Sequence, residues 1–531
     1  MQFYGLTVDK FLDHAAKWHP AAPVVQADMG SGATRIGYAE LRSRSNRLSG
    51  ALLSLGLRPG DRIGTLAWNT RHHFETYYAA MGTGLVCHTL NPRLAPRHLA
   101  AMIREAGDRL IAVSADLAPM LRDLLPYCPS VAHVVVMDAD EAGEWPGRSS
   151  YSHDALLAER GAPVAWGQFD ENAPAGLCYT SGTTGRPKGV LYTHRSNYLH
   201  TMRALQADSI ALTAQDVVLL AVPMFHANGW GLPFAAPAVG ARLVLPGRHL
   251  DGPSLCRLMR EEGVTVAVGV QTVWISVVDH IETGDGALPH LQRVLIGGSS
   301  CPDTLIDRIE TVLRARVQTS WGMTELSPLG TIASPVPEPG EPRASGRPPM
   351  GLDLKLTDAG GAALPRQRGV TGHLKVKGGS VVDRYFASEE SLLDAEGYFD
   401  TGDLASIDEE GRLTICGRAK DLIKSGGEWI NPNEIETIIG QHPSVGLVAV
   451  IGRSDPRWGE RPVLVVEPRQ GYVMDADALV GTLKGRVADW WLPDRVVEIP
   501  AMPLAASGKI DKAILRQAFA DGELESRAIG R

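Results

Sequence analysis

Residues 179–189 combine hydroxyl, glycine and lysine side chains in a way that suits a bound phosphate. The segment reads Tyr179-Thr180-Ser181-Gly182-Thr183-Thr184-Gly185-Arg186-Pro187-Lys188-Gly189. Glycines let backbone N–H groups approach an anion closely, and the hydroxyls and Lys188 add donors and a point charge. Apolar runs flank the segment on both sides. We therefore predict a polyphosphate-binding loop between two strands.

This loop differs from two better-known glycine-rich motifs. A Walker A loop needs a GK[ST] sequence that opens a helix, whereas here Pro187 precedes the lysine and Gly189 follows it. A nucleophile elbow needs glycine two residues before its serine, and that position holds Tyr179. A plain glycine- and serine-rich surface turn is the structural alternative.

A second motif, Gln318–Glu325, follows an apolar strand pattern. Gly322 permits close approach of a ligand, and the Thr324 hydroxyl can donate to a phosphate. Glu325 is a hard oxygen ligand of the kind that Mg²⁺ prefers. Its structural alternative is a carboxylate that stabilises a helix N-terminus.

Further residues could complete a nucleotide site. The pair Gly297-Gly298 would let a flat ring lie against the backbone. Asp403 could accept hydrogen bonds from both hydroxyls of a ribose. Lys509 stands on a polar segment near the C-terminus, where a lone lysine is usually solvated. The sequence Arg71-His72-His73 predicts no metal site, because no further ligand lies at zinc-site spacing.

Alternating strand and helix patterns must position these residues. They favour an α/β fold with mostly parallel sheets up to residue 417, and a small α+β unit from residue 421 to 531. Within the latter we predict helices over 433–439 and 475–488. Residues 139–166 are polar and rich in glycine, so we predict a surface connection there.

Length, charge and cysteine usage narrow the class of protein. A chain of 531 residues predicts three or four domain-sized units. A net charge of −8 argues against a broad nucleic-acid-binding face. Six cysteines without a CxxC pair indicate reduced thiols and a cytoplasmic protein. The most apolar run, 264–278, is too short and too interrupted to predict a membrane span.

Together these motifs resemble, in order and over nearly the whole chain, the adenylate-forming superfamily of acyl-CoA synthetases, luciferases and peptide-synthetase adenylation domains. The resemblance implies a large multi-sheet α/β domain over 1–417, a hinge at 418–420 and a small mobile domain over 421–531. It departs from many members at Trp321, where they have tyrosine. A wider indole should still stack on adenine.

The resemblance also implies roles for named residues. Lys509, Glu325 and His226 would be catalytic, and Thr180 and Glu325 would hold Mg²⁺. The substrate would contact His226, Trp230, Gly298 and Trp321. The residues expected to bind ATP or CoA are Thr180, Ser181, Gly182, Thr183, Thr184, Gly185, Lys188, Gly298, Ser299, Ser320, Trp321, Gly322, Thr324, Asp403, Arg418, Lys420, Gly426, Gly427 and Trp429.

The implied activity is that of an ATP-dependent acid–CoA ligase with Mg²⁺ as cofactor. It would activate a short- or medium-chain aliphatic acid as acyl-AMP and transfer the acyl group to CoA. Long-chain fatty acids and 3-methylmercaptopropionate are alternative substrates. The expected state is a homodimer, with no nucleic-acid partner and no integral membrane segment.

Other activities compete with this one. A peptide-synthetase adenylation domain would need an acidic residue near His226 for the substrate amine, and 223–230 has none. A luciferase-type oxygenation of the adenylate stays open. A kinase would release ADP rather than AMP and pyrophosphate. A non-catalytic nucleotide-binding protein is disfavoured by the presence of Glu325, Asp403 and Lys509 together.

Overall fold

The computed structural model describes residues 1–2, 4–28, 32–180, 187–284, 286–299, 301–337, 340–469, 471–505 and 509–529. Six residues of the predicted phosphate loop lie outside these ranges, namely Ser181, Gly182, Thr183, Thr184, Gly185 and Arg186.

Strands in the described ranges form four sheets. In chain order they are β1 (Pro23–Asp28), β2 (Gly32–Gly37), β3 (Arg62–Leu66), β4 (Val86–Leu90), β5 (Leu110–Ser114), β6 (His133–Met137), β7 (Ser149–Ser152), β8 (Pro174–Thr180), β9 (Lys188–Thr193), β10 (Val217–Leu220), β11 (Arg242–Leu245), β12 (Val266–Val270), β13 (Arg293–Gly297), β14 (Arg316–Gly322), β15 (Leu329–Ile332), β16 (Leu352–Thr357), β17 (Val370–Gly378), β18 (Phe399–Ile407), β19 (Leu413–Arg418), β20 (Ile423–Ser425), β21 (Glu428–Ile430), β22 (Val445–Asp455), β23 (Gly459–Pro468), β24 (Arg495–Glu498) and β25 (Ser526–Ala528).

The α-helices connect these strands and cover the sheets. They are α1 (Asp9–Trp18), α2 (Tyr38–Ser54), α3 (Arg71–Met81), α4 (Pro96–Ala106), α5 (Ala118–Leu124), α6 (His153–Arg160), α7 (His194–Ala204), α8 (Ala227–Trp230), α9 (Leu232–Val239), α10 (Gly252–Glu262), α11 (Gln271–Glu282), α12 (Asp303–Leu313), α13 (Pro432–Ile439), α14 (Ala476–Gly481) and α15 (Lys512–Ala520).

Two large sheets are mostly parallel. One has the order β15-β14-β13-β12-β10-β11-β1-β2, with antiparallel strands only at its two edges. The other has the order β7-β6-β5-β3-β4-β8-β9, and its antiparallel pair is β8 and β9. The strands β16 to β19 form a third, antiparallel sheet. The fourth sheet, β20 to β25, belongs to the C-terminal region.

One apolar core joins the two large sheets. Helix α3 lies within it, and Phe74, Tyr77 and Tyr78 on that helix are fully buried. The Tyr77 hydroxyl donates to the Met224 carbonyl of the segment after β10. Because parallel strands end at the same sheet edge, this packing brings the turns after β12, β13 and β14 together.

The C-terminal region has a sheet and core of its own. Arg418 ends β19 in the third sheet, and Ile423 begins β20 in the fourth. The domain limits 1–417, 418–420 and 421–531 stay a prediction. Among the helices of the described ranges, none combines the length and the apolar character that crossing a bilayer requires.

Two local predictions are wrong. Residues 139–166 contain β7 and α6, and Trp145 and Trp166 are buried, so the segment is part of the fold rather than a surface connection. Its apolar residues are spaced among polar ones, so the sequence pattern did not predict that they are buried. The helix predicted over 475–488 ends at Gly481, and Gly485 adopts a φ of 72° that a helix does not use.

The contact of α2 with residue 162 can be tested by a substitution of Gly50 with alanine. In an open helix this change stabilises by about 1 kcal/mol. At Gly50, however, a Cβ would lie 2.0 Å from the Ala162 carbonyl oxygen. We expect Gly50→Ala to destabilise by about 1–3 kcal/mol, measured as a lower urea midpoint.

Gly481→Ala is the matched control, because a Cβ at this helical position meets nothing within 4 Å. It should leave the unfolding midpoint unchanged or raise it. A Gly50→Ala protein as stable as the parent would show that residues 161–163 do not pack on α2 as described.

Candidate active site

A cavity of about 340 Å³ opens where the turns after β12, β13 and β14 meet. Residues of the second motif lie in its wall, whereas no described residue of the 179–189 loop does. The wall joins a polar part to an apolar part. The polar part includes Gly298, Ser320, Gly322, Thr324 and Lys509. The apolar part includes Ile210, Ala221, Val222, Val268, Leu295 and Ile332.

Backbone conformation shapes this wall. Trp230 has a φ of 55° and Asn228 a φ of 53°, and such left-handed conformations are uncommon outside glycine. A Cβ at Gly297 would lie 2.9 Å from the Trp230 ring and 2.4 Å from the Ser320 hydroxyl. Only glycine therefore allows the Trp230 indole to lie against this turn.

Lys509 reaches the cavity from the C-terminal region. Its Cε lies 3.8 Å from the position that a Cβ would take at Gly298. The residue is exposed to solvent and lines the cavity. The loss of bulk water lowers the pKa of the Lys509 ammonium, and Arg418 adds to this effect, whereas Asp403 and Glu325 oppose it.

Asp403 is held by two donors. The indole Nε1 of Trp321 donates to its Oδ2 at 2.8 Å, and the Arg418 Nε lies 3.0 Å from its Oδ1. Burial raises the pKa of the Asp403 carboxyl, while Arg418, Trp321 and Lys509 favour the ionised form. Sequence reasoning brought Asp403 and Arg418 to the site but did not foresee the bond from Trp321.

Glu325 has a partner that sequence reasoning missed. The Tyr385 hydroxyl donates to Glu325 Oε1 at 2.9 Å, and the Lys188 ammonium lies 4.8 Å from the centroid of the Tyr385 ring. Burial raises the pKa of the Glu325 carboxyl, and the Tyr385 bond, Arg418 and Lys188 oppose that rise. No signal in the sequence marks Tyr385, since it lies 60 positions from Glu325.

The two ends of the predicted phosphate loop lie side by side. Thr180 and Lys188 pair across β8 and β9. The strands on both sides of the loop were therefore predicted correctly. Tyr192 on β9 donates through its hydroxyl to the Thr324 carbonyl at 2.8 Å, which links the loop to the second motif.

His226 lines the cavity at the start of α8, beside the Phe225 ring. Arg93 also lines the cavity, and its guanidinium carbon lies 5.9 Å from the Phe225 ring centroid. Sequence reasoning did not select Arg93, because nothing near it in the chain suggests a ligand.

Other predicted residues do not line this cavity in the described part of the chain. Gly426, Gly427 and Trp429 lie on the β20–β21 hairpin, where a Cβ at Gly426 would meet the Trp458 ring at 2.9 Å. Lys420 is exposed between the third and fourth sheets. Ser299 is exposed, and its hydroxyl lies 3.5 Å from Gln271 Oε1.

Comparisons with known proteins place this chain in a family. Residues 12–386 match the AMP-binding enzymes, and residues 434–509 match the AMP-binding enzyme C-terminal domain. A 3-methylmercaptopropionyl-CoA ligase of Ruegeria lacuscaerulensis is 41% identical over 98% of both chains. A medium-chain-fatty-acid–CoA ligase of Ectopseudomonas oleovorans is 39% identical over 98% of this chain and 97% of its own.

A further relative and two solved structures agree with that placement. A long-chain-fatty-acid–CoA ligase of Thermus thermophilus is 38% identical over 96% of this chain and 95% of its own. ATP-bound MatB from Rhodopseudomonas palustris superposes with a TM-score of 0.84 at 25% identity, over 97% of this chain and 99% of its own. An anthranilate CoA ligase in complex with anthranoyl-AMP superposes with a TM-score of 0.87 at 21% identity, over 98% of this chain and 99% of its own. This likeness supports the fold alone.

The chain belongs to the AMP-binding enzymes, the adenylate-forming superfamily that the motifs predicted. The predicted α/β fold with a separate small C-terminal unit is confirmed. Among the members of this family, the relatives above confirm the prediction of an acid–thiol ligase of the acyl-CoA synthetase class.

The bond between Tyr385 and Glu325 predicts a pH effect. Tyr385→Phe removes a donor that favours the ionised carboxylate, so the pKa of Glu325, already raised by burial, should rise further. We expect the acidic limb of the pH profile for pyrophosphate release to move to higher pH. The measurement is kcat/KM for ATP against pH.

Tyr398→Phe is the control, because the Tyr398 hydroxyl also bonds a carboxylate, that of Asp353, outside the cavity. This variant should keep the parent profile. If the acidic limb of Tyr385→Phe coincides with that of the parent, the ionisation of Glu325 does not limit the reaction.

Proposed function

We propose that the chain activates a short- or medium-chain aliphatic carboxylic acid as acyl-AMP and then transfers the acyl group to CoA. The observation that carries this proposal is the position of Lys509. It reaches from the C-terminal region into the cavity that Gly298 and Thr324 line, beside Glu325 and Asp403.

In the first half-reaction, a carboxylate oxygen attacks the α-phosphorus of ATP. A P–O bond forms to the acid, and the bond to pyrophosphate breaks. Negative charge grows on the phosphate oxygens, so fixed cations and donors in a preorganised site lower the barrier. We propose that Lys509 neutralises the charge on the α-phosphate and the acid, and that Thr324 donates a hydrogen bond to a phosphate. The loop that ends at Lys188 would bind the β- and γ-phosphates.

The nucleoside would lie between the two motifs. Asp403 is positioned by Trp321 and Arg418 to accept bonds from the ribose hydroxyls. The Gly297-Gly298 turn and the Trp321 indole are proposed to hold the adenine. Gly322 and Ser320 line the same wall and would contact the phosphate and base.

The residues around Glu325 fit a bound Mg²⁺. The Tyr385 hydroxyl holds one carboxylate oxygen of Glu325. The nearby Arg418 and Lys188 favour the ionised form of this carboxylate, which a hard cation requires. Glu325 and the Thr180 hydroxyl are the proposed ligands. When bound, Mg²⁺ would neutralise phosphate charge.

In the second half-reaction, the CoA sulfur attacks the carbonyl carbon, the thiol proton passes to solvent, and the bond to the AMP phosphate oxygen breaks so that AMP leaves. Lys509 has no task in this step. We propose that the small domain turns about Lys420 and brings Gly426, Gly427 and Trp429 to the thiol path.

The residues that line the cavity favour a substrate with an uncharged acyl group. Strand residues such as Ala221, Val268 and Leu295 supply aliphatic surface, and no carboxylate of the described residues lines the cavity. A substrate amine would therefore lack a counter-charge. A volume of about 340 Å³ lies at the low end for ligand pockets, which are typically ~300–1,000 Å³. His226 and Trp230 would border the acyl chain.

Three relatives act on different acids by name, namely 3-methylmercaptopropionate, medium-chain and long-chain fatty acids. The first and the last are the alternative substrates.

We also propose that the protein is a cytoplasmic homodimer. Its six cysteines are free, which suits a reducing compartment.

Substitution of Lys509 tests the division of labour between the half-reactions. Lys509→Ala should lower acyl-AMP formation by roughly 10²–10³-fold, the usual effect of losing one fixed donor to the transition state. Thioester formation from supplied acyl-AMP should stay within a few-fold of the parent. Separate assays of pyrophosphate release and of CoA acylation measure the two steps.

Lys484→Ala is the control, because Lys484 is an exposed lysine of the same C-terminal region. It should keep both rates. Equal losses of both half-reactions in Lys509→Ala would contradict the proposed withdrawal of the lysine.

The substrate proposal is tested with a panel of acids from C2 to C16 that includes aromatic, thioether and dicarboxylic acids. We expect the highest kcat/KM for short or medium aliphatic acids. Ala221→Leu should shift the preference to shorter acids, because it fills the apolar wall. A preference for dicarboxylic acids would assign the Arg93 guanidinium to the substrate and contradict the proposal.

A further inference from the structure

A cluster of histidine and carboxylate side chains lies outside the cavity, between α3 and α6. The rings of His72 and His153 pack edge to face with their centroids 4.7 Å apart. One ligand atom from each of them and one from Asp154 lie within 4.8 Å of one another. Both histidines are buried, whereas the Asp154 side chain is 56% exposed and gives the cluster access to solvent.

Each histidine points one ring nitrogen at Asp154 and the other at a second carboxylate. His72 Nδ1 lies 2.6 Å from Asp138 Oδ1, and its Nε2 lies 3.4 Å from Asp154 Oδ2. His153 Nε2 lies 3.6 Å from Glu75 Oε2, and its Nδ1 lies 3.7 Å from Asp154 Oδ1. Histidines that bind a metal usually have such a carboxylate behind the nitrogen that faces away from the ion.

One spacing within the cluster matches that of a tetrahedral ion. Bonds of about 2.0–2.1 Å to zinc place neighbouring ligand atoms roughly 3.4 Å apart, as His72 Nε2 and Asp154 Oδ2 are. In the described part of the chain neither ring nitrogen of His153 has a hydrogen-bond partner, although both are buried. A buried polar atom without a partner is costly, and an ion would satisfy one of the two.

Carboxylates surround the cations of this cluster. Three of them, Glu75, Asp138 and Asp154, face the guanidiniums of Arg44 and Arg71 and the ring of His72. Arg71 Nη2 lies 2.8 Å from His72 Nε2 and 3.9 Å from Asp154 Oδ2. Its guanidinium thus lies beside the ligand atoms, where a metal cation would bind.

We propose that His72, His153 and Asp154 bind one Zn²⁺, or a similar divalent ion that prefers imidazole, in exchange for the Arg71 guanidinium. Asp138 and Glu75 orient the two rings. The ion would join α3 to α6 and so stabilise the N-terminal sheet, and it would take no part in the ligase reaction.

The sequence concealed this site. The adjacent His72 and His73 lack a third ligand nearby, and His73 bonds Thr65 and the Trp68 carbonyl instead. The partners His153 and Asp154 come about 80 positions later, and the fold brings them to His72. Spacing along the chain therefore gave no zinc pattern.

Zinc titration of the full-length protein after treatment with a chelator tests the proposal. Thiols are the main competing zinc ligands, so every protein carries Cys301→Ser and Cys416→Ser, which replace the two less buried cysteines. Calorimetry should show one Zn²⁺ per chain, and the thermal midpoint should rise with Zn²⁺.

Variants in this background separate ligands from neighbours. Asp154→Asn and His153→Gln should each abolish one-to-one binding. Glu75→Gln and Asp138→Asn should weaken it by about 10–100-fold. Arg71→Gln should tighten it, because it removes the competing cation. His290→Gln, at an exposed histidine, is the control and should leave binding unchanged.

Three outcomes would overturn the proposal. The first is a protein that binds no Zn²⁺ in this background, and the second is binding that survives both Asp154→Asn and His153→Gln. The third is an Arg71→Gln variant that binds more weakly than its parent, since the guanidinium would then be part of an ion-pair network. Circular dichroism of each variant separates the loss of a ligand from the loss of the fold.

Discussion

The site depends on four charged side chains that interact with one another beside the cavity. Glu325, Asp403 and Arg418 come before the fourth sheet in the chain, and Lys509 comes from the C-terminal region. Two carboxylates and two cations balance one another when all are ionised. Burial acts against the charges of Glu325, Asp403 and Lys509, and the opposite charges beside them favour their ionised forms. The position of the C-terminal region is therefore coupled to the charge state of the cavity.

This coupling gives the proposed domain motion a driving force. Without Lys509 the large domain keeps two carboxylates against Arg418, with Lys188 at the Tyr385 ring. A triphosphate adds further negative charge and would strengthen the attraction for the lysine. Once pyrophosphate leaves, that attraction weakens, and the lysine can withdraw at lower cost. The order of the two half-reactions would then follow from electrostatics, as the proposed function requires.

The sequence predicts the parts of this site that depend on local chemistry. The strands around residues 181–186 and the turn after β14 follow from glycine, hydroxyl and apolar spacing within a dozen residues. Contacts between distant residues were missed, among them the bonds of Tyr385 to Glu325 and of Trp321 to Asp403. Such pairs depend on how sheets pack, which no local pattern encodes. The same limit applies to α6, whose amphipathic pattern was hidden in a polar segment.

One turn connects the polar part of the cavity to its apolar part. A Cβ at Gly330 would lie 2.3 Å from the Trp321 ring, so glycine lets the indole pack flat while its N–H holds Asp403. Pro328 and Leu329 of this turn line the cavity. The buried Arg203 binds the carbonyls of Leu326 and Leu329 and the Ser380 hydroxyl. One buried cation, Arg203, fixes both ends of the turn. A substitution in the apolar wall should therefore also shift Asp403, the carboxylate proposed to hold the ribose.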